Sequence, residues 1–331
     1  MVLAAGVAQA DITFSGSTGV ALIDDNGASI LASTLAAQNA AATAAAGSAV
    51  AATATTAGNN VTRATRDDMF FESYYDFNVT ASAESDNGVS VSVGFDMGAG
   101  NMIDYNDDDK LEAQGNNVGD ADVSVGYAGW TLAVDNNGIA DLYDGDIENA
   151  DASLSGTIAG WAVAVTTDQD KSKSSYSVSG AVAGVTLTAT GSNDDSVHAT
   201  GNGTGSASKL AASYAMGDLT LSASVANEAG TTEDDSTLGL SYVMGDITVG
   251  YTTIKPGGTA GKYGDEWDFS AAYAAGAVSA SFAIDEADAT TIIVDYDLGG
   301  GASAFAAMHD KPAVGGVEGN DLVAMGLNFA F

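Results

Sequence analysis

An all-β fold, with an antiparallel sheet closed into a membrane-spanning barrel, is predicted for this chain by three observations. The first is alternation. Val89, Val91, Val93 and Phe95 alternate with Ser90, Ser92, Gly94 and Asp96. Leu219, Leu221, Ala223 and Val225 alternate with Thr220, Ser222 and Ser224, and Val278, Ala280, Phe282 and Ile284 with Ser279, Ser281, Ala283 and Asp285. Successive strand side chains point to opposite faces, so each segment has one apolar and one polar face. The second is punctuation. Short turns at Asp86-Asn87-Gly88, Ala128-Gly129, Ala159-Gly160, Ala183-Gly184, Met216-Gly217-Asp218, Met244-Gly245-Asp246, Ala275-Gly276 and Leu298-Gly299-Gly300 alternate with long acidic connections. Two-residue turns join antiparallel neighbours, whereas parallel strands need long crossovers. The third is the polar face itself. Its Ser, Thr, Gly and Asp are too polar for a sandwich core, where each group would need a buried partner. Against a water-filled lumen they stay solvated, and closure removes the edges of so large a sheet. Tyr127, Trp130, Trp161, Tyr251, Trp267, Tyr273 and Tyr296 sit near strand ends, where interfacial girdles belong.

The elements follow in order. Residues 1–10 end in Ala8-Gln9-Ala10, a small-x-small pattern before polar Asp11, and read as the remnant of a signal peptide, leaving 11–331 as a single barrel domain. Strands are predicted at 11–23, 69–85, 88–96, 120–127, 130–135, 150–158, 161–167, 175–182 and 185–191 in the first half. They continue at 207–215, 219–226, 236–243, 246–253, 266–274, 277–284, 289–297, 301–308 and 321–331, which makes 18 segments. Residues 28–60 break the rhythm. Their Ala, Thr, Ser and Gly run reads as an external insertion, with a short helix over 30–46, a weak strand over 50–57 or one long loop as the alternatives.

Composition excludes several classes of function. With 44 Asp and Glu against 9 Lys and Arg, the formal charge is −35, which argues against a nucleic-acid partner. No Cys is present, so disulfides, thiol nucleophiles and thiolate metal sites are excluded. His198 and His309 are isolated in predicted connections, and no phosphate-binding Gly-Lys-Ser/Thr or His-Glu-x-x-His motif occurs. No enzyme activity and no cofactor are expected.

Three stretches carry a family likeness: Asp11-Ile12-Thr13-Phe14-Ser15-Gly16, Asp295-Tyr296-Asp297-Leu298-Gly299-Gly300-Gly301-Ala302-Ser303 and the closing Met325-Gly326-Leu327-Asn328-Phe329-Ala330-Phe331. With them the chain resembles the general diffusion porins of alphaproteobacteria, of the Rhodobacter type. Residues 28–60 and several connection lengths depart from that pattern. The resemblance implies a 16-stranded barrel, a homotrimer and passive diffusion of small hydrophilic solutes and ions across a Gram-negative outer membrane. We take 16 as the expected strand number, with 18 from the segmentation as the alternative. The resemblance also implies that Phe331 is read by the outer-membrane assembly machinery. Phe331 shares a strand face with Phe329, Leu327, Met325 and Val323, which the alternation directs at lipid or a neighbouring subunit.

A constriction is implied where the third external connection folds inward, here 135–149. Asp135, Asp141, Asp144, Asp146 and Glu148 are its candidate acids, with Ile139, Leu142 and Ile147 pinning it to the wall; the competing connection is 97–119. The cationic side of such a pore would fall to Arg63 and Arg66. So acidic a channel is expected to favour cations. The run Asp104, Asp107, Asp108 and Asp109 offers hard oxygen ligands for Ca²⁺, although no EF-hand pattern is present. Two other readings stay open: a secreted or surface-attached acidic β-rich adhesin, stabilised by Ca²⁺, and a structural barrel plugged by residues 28–60.

Overall fold

The computed structural model describes residues 10–24, 69–104, 110–113, 121–145, 148–168, 173–193, 205–227, 234–256, 266–312 and 320–331. Alternation becomes strand throughout. The strands are β1 (Ala10–Asp24), β2 (Phe70–Glu84), β3 (Ser90–Asp104), β4 (Lys110–Ala113), β5 (Asp122–Tyr127), β6 (Trp130–Ala140), β7 (Glu148–Ile158), β8 (Trp161–Thr167), β9 (Ser174–Val182) and β10 (Val185–Ser192). They continue as β11 (Ala207–Met216), β12 (Leu219–Asn227), β13 (Asp235–Met244), β14 (Ile247–Lys255), β15 (Glu266–Ala275), β16 (Val278–Asp285), β17 (Thr290–Gly299), β18 (Ala302–Lys311) and β19 (Asn320–Ala330).

Every neighbouring pair is antiparallel, and β1 pairs with both β2 and β19, so the sheet closes. The short β4 pairs only with the distal end of β3, as a hairpin standing above the wall. The barrel therefore has 18 strands, and the expectation of 16 is corrected. The reason is topological. All 18 alternating segments are hydrogen-bonded on both sides, and omitting a hairpin would leave two unpaired edges. A second correction concerns length: β3 runs on to Asp104, well into the connection expected at 97–119.

The start of β1 and the end of β19 lie at the short-turn end. The Gly16 N–H donates to the Phe331 carbonyl at 3.0 Å, and the Phe331 N–H donates back to Gly16 at 3.1 Å. This closes the ring on its last residue, and Phe331 stacks outward near Phe77, which lies against Phe14. The hairpins at this end use two chemistries. At Ala128-Gly129 both φ values are positive (52° and 83°), which matches the right-handed strand twist. At Gly217-Asp218 only the glycine is left-handed, at 62°.

The outer face is an apolar belt. Large aromatics there lie over glycines directly across the strand pair. A Cβ on Gly156 would meet the Trp130 ring at 2.5 Å, and one on Gly180 would meet the Trp161 ring at 2.5 Å. The glycine leaves room for the ring, and the ring covers backbone that a glycine would expose.

The inner face is mostly polar among the described residues, and its buried apolar cluster lies near the long-loop mouth. Ile23, Phe70, Phe305, Leu322, Ala21 and Ala324 form a buried apolar cluster on β1, β2, β18 and β19, with Ile23 at 0% and Leu322 at 1% exposure. The seam where the barrel closes thus carries the apolar cluster of the inner face.

Candidate functional site

The site is the lumen, and strand parity builds it. On β2 the outward set includes Phe71, Tyr75 and Phe77, which turns Asp76 and Asn78 inward. On β3 Val91 and Val93 face out and Asp96 faces in; on β5 and β6 the same logic turns Asp122 and Asp135 inward. Register then gathers them. Asn78 sits opposite Asp96, and Gly94 opposite Asp122. Asn78 Nδ2 donates to Asp76 Oδ2 at 3.1 Å. The Asp122 carboxyl leans over Gly94, where a Cβ would lie 3.8 Å from its oxygen. Asp122 and Asp135 are within hydrogen-bonding reach, and Asp96 is close enough to be felt electrostatically. Four strands therefore present one mid-wall row of carboxyl groups.

Asp135 owes its position to a bulge. The β6–β7 register shifts between Val134 and Ile139, so the residues between them exceed their partners. Asn137 takes φ 57°, a conformation asparagine tolerates, and its N–H donates to Asp151 Oδ1 at 3.0 Å. The expected connection at 135–149 is accordingly shortened, because β6 extends to Ala140 and β7 begins at Glu148.

The connection does turn inward. Asp141 Oδ1 accepts the N–H groups of Tyr143 at 2.7 Å and Asp144 at 3.2 Å, a local turn that aspartate favours. Its Oδ2 accepts Ser192 Oγ at 2.6 Å. The Leu142 N–H donates to Ser175 Oγ at 2.8 Å, and Ser175 is bonded to Thr166. Ser192, Ser175 and Thr166 lie on the lumen faces of β10, β9 and β8, so β10 and β9 hold this segment against the inner wall at the mouth, with Thr166 of β8 bracing Ser175. Asp141 was expected to face the channel. It is 6% exposed and serves as the anchor, because its two carboxyl oxygens accept three hydrogen bonds. Asp144 is half-buried beside it. Asp146, Arg63, Arg66, Asp107, Asp108 and Asp109 lie outside the described residues, as do residues 28–60 and the side chains of Glu148 and Asp104. No cluster suited to a metal ion occurs among the described residues.

The opposite wall is different. Thr186, Thr188, Lys209, Ser213, Ser222, Ser224 and Thr237 line it on β10 to β13. Ser179 and Thr188 share a hydrogen bond at 3.0 Å across β9 and β10. Acids return at the mouth of β13 to β16, where Asp235, Glu266, Asp268, Asp285 and Glu286 influence one another. Asp285 Oδ1 accepts the N–H groups of Ala287 and Ala289 at 2.8 Å and shapes the short connection there.

Asp76, Asp96 and Asp122 were not among the sequence candidates. Parity alone could have placed each of them inward; gathering them into one row required the register.

No family model and no curated protein match this sequence. Solved structures do. A triple mutant of the Rhodopseudomonas blastica porin aligns at a TM-score of 0.51 and 16% identity, covering 98% of this chain and all of that one. OccAB2 of Acinetobacter baumannii aligns at 0.57 and 9% identity, covering 97% of this chain and 98% of its own. At such identities the likeness is one of fold, and the fold is the porin-like barrel.

Proposed function

We propose that this chain is an outer-membrane channel through which small hydrophilic solutes and ions diffuse passively, with preference for cations. The observation that carries the reading is the division of one closed sheet into two chemistries. Val91, Leu132, Leu154, Val165, Leu238 and Val294 are exposed on the outside, while carboxyl and hydroxyl groups face the inside. An exposed aliphatic belt of this extent has no place on a protein surrounded by water, which disfavours the secreted adhesin. In the lumen, the Asp76–Asp96–Asp122–Asp135 row makes the potential negative, and low-dielectric walls focus it. Diffusion needs no catalytic group and no cofactor.

Assembly as a homotrimer, recognition of Phe331 by the assembly machinery, and Ca²⁺ at the Asp104–Asp109 run belong to this proposal and rest on the sequence. The outward, exposed ring of Phe331 supports its part. The test is single-channel conductance in a planar bilayer under a tenfold salt gradient. Stepwise openings with a cation-selective reversal potential are expected. Folded, inserted protein that never conducts would sink the channel reading, and an anion-selective potential would overturn the electrostatics.

A further inference from the structure

The outer belt is hollowed over β10 to β14. On adjacent strands Leu187 faces Ala212, Ala212 faces Ala223, Ala223 faces Leu238 and Leu238 faces Thr253. Ala212 and Ala223 are too small to fill this row. Leu210 and Val225 stand above them, and Tyr214 and Leu221 below. The hollow has a volume of about 550 Å³ and an almost wholly apolar lining.

Its course follows from the register. Thr253 lies two residues from the mouth end of β14, whereas Leu187 lies two residues from the short-turn end of β10. The row therefore starts near the mouth-side rim and descends into the belt. Four steps between strands, at about 4.8 Å each, make it about 19 Å long. With strands tilted about 45°, the row descends about 13 Å into a hydrocarbon core about 30 Å thick. At the upper end is Lys255, which follows Tyr251 and Thr253 on the outward face of β14 and is exposed. The acids of this rim, Asp235, Glu266 and Asp268, have the opposite parity and turn to the lumen.

We propose that the trough seats one acyl chain of a phosphate-bearing lipid from the leaflet on the long-loop side, with its phosphate at Lys255. Three observations select this occupant. The hollow is lined almost wholly by apolar groups, it extends from Thr253 on β14 to Val185 on β10, and Lys255, two residues past Thr253 on the same face, sets a cation beside it on a chain whose net charge is −35. A second barrel would offer a convex wall, which does not enter a concavity flanked by Leu210 and Val225, 61% and 49% exposed. The proposal rests on the membrane-channel reading.

The test uses purified full-length protein reconstituted in vesicles of equal phosphatidylglycerol and phosphatidylcholine, then released for native mass spectrometry, with bilayer conductance recorded in parallel. One phosphatidylglycerol per chain is expected, retained about fivefold or more over phosphatidylcholine. Lys255→Gln should erase that preference. The double substitution Ala212→Leu with Ala223→Leu should lower retention of both lipids about tenfold. Because these side chains face outward, conductance should persist in each variant, which also shows that each has folded. Undiminished retention by the filled variant, equal retention of the two lipids by the unmodified protein, or disulfide cross-links between copies through Ala223→Cys would overturn the proposal. A lipid-loaded barrel that fails to conduct would instead count against the channel reading while supporting the trough.

Discussion

Two stretches of the lumen wall, β2 to β6 and β10 to β13, obey the same alternation and have opposite electrostatics. The first presents Asp76, Asp96, Asp122 and Asp135 at mid-wall, with Asn78 among them. The second presents Thr186, Thr188, Ser213, Ser222, Ser224 and Thr237 around Lys209. Hydroxyl groups solvate a passing ion of either sign, whereas carboxylates discriminate. The comparison teaches that the pattern of a strand fixes which residues face the water, while the identity of those residues decides what the water-filled space prefers.

The largest effect is expected at the boundary between the two walls, where Asp141 holds the inward segment to β10 and the Leu142 N–H holds it to β9. Asp141→Asn keeps the shape and removes the charge from three hydrogen bonds. Hydrogen bonds to charged groups contribute about 2 kcal/mol, so exchange of the Tyr143 and Asp144 amides should accelerate roughly thirtyfold. Hydrogen exchange measured peptide by peptide reads this directly. Unchanged protection would mean that the segment is held by something else.

Next in size is the acidic row. Asp96→Asn, Asp122→Asn and Asp135→Asn together should remove about 1 kcal/mol of ion–wall attraction, roughly a fivefold fall in the cation-to-anion permeability ratio. Reversal potentials in a salt gradient give the ratio. A value equal to that of the unmodified channel would transfer the selectivity to the acids at the mouth of β13 to β16. Salt should act in the same direction on the unmodified channel. At 1 M the screening length falls to about 3 Å, so the permeability ratio should approach that of the triple variant. A ratio independent of ionic strength would contradict an electrostatic origin.

The smallest effect is expected on the hydroxyl wall. Lys209→Gln removes one cation from a wall otherwise lined at mid-height by hydroxyl groups and should raise cation preference about twofold, well under 1 kcal/mol. Lys209→Glu should raise it further. If either variant changed the ratio as much as the acidic triple, the two walls would not differ in the way described.

Much of this molecule was legible before its structure was known. All 18 alternating segments became barrel strands, and the short turns at Ala128-Gly129 and Gly217-Asp218 have the dihedral angles that such hairpins require. The role of Asp141 was not anticipated, since its partner Ser192 lies 51 positions away in the chain. Asp135 was selected as a loop residue, yet it faces the lumen from a bulged strand beside Asp122.

The sequence by itself determined which face of each strand meets lipid and which meets water, because strand parity is local and survives any arrangement of strands. It also determined where the chain reverses, because a left-handed residue is needed there and glycine supplies it. Only the tertiary structure decided that the ring closes with 18 strands, that four aspartates from four strands form one row, and that Ala212 and Ala223 meet to open a trough. Each of these depends on register between strands, and register is a relation between distant segments that no single segment encodes.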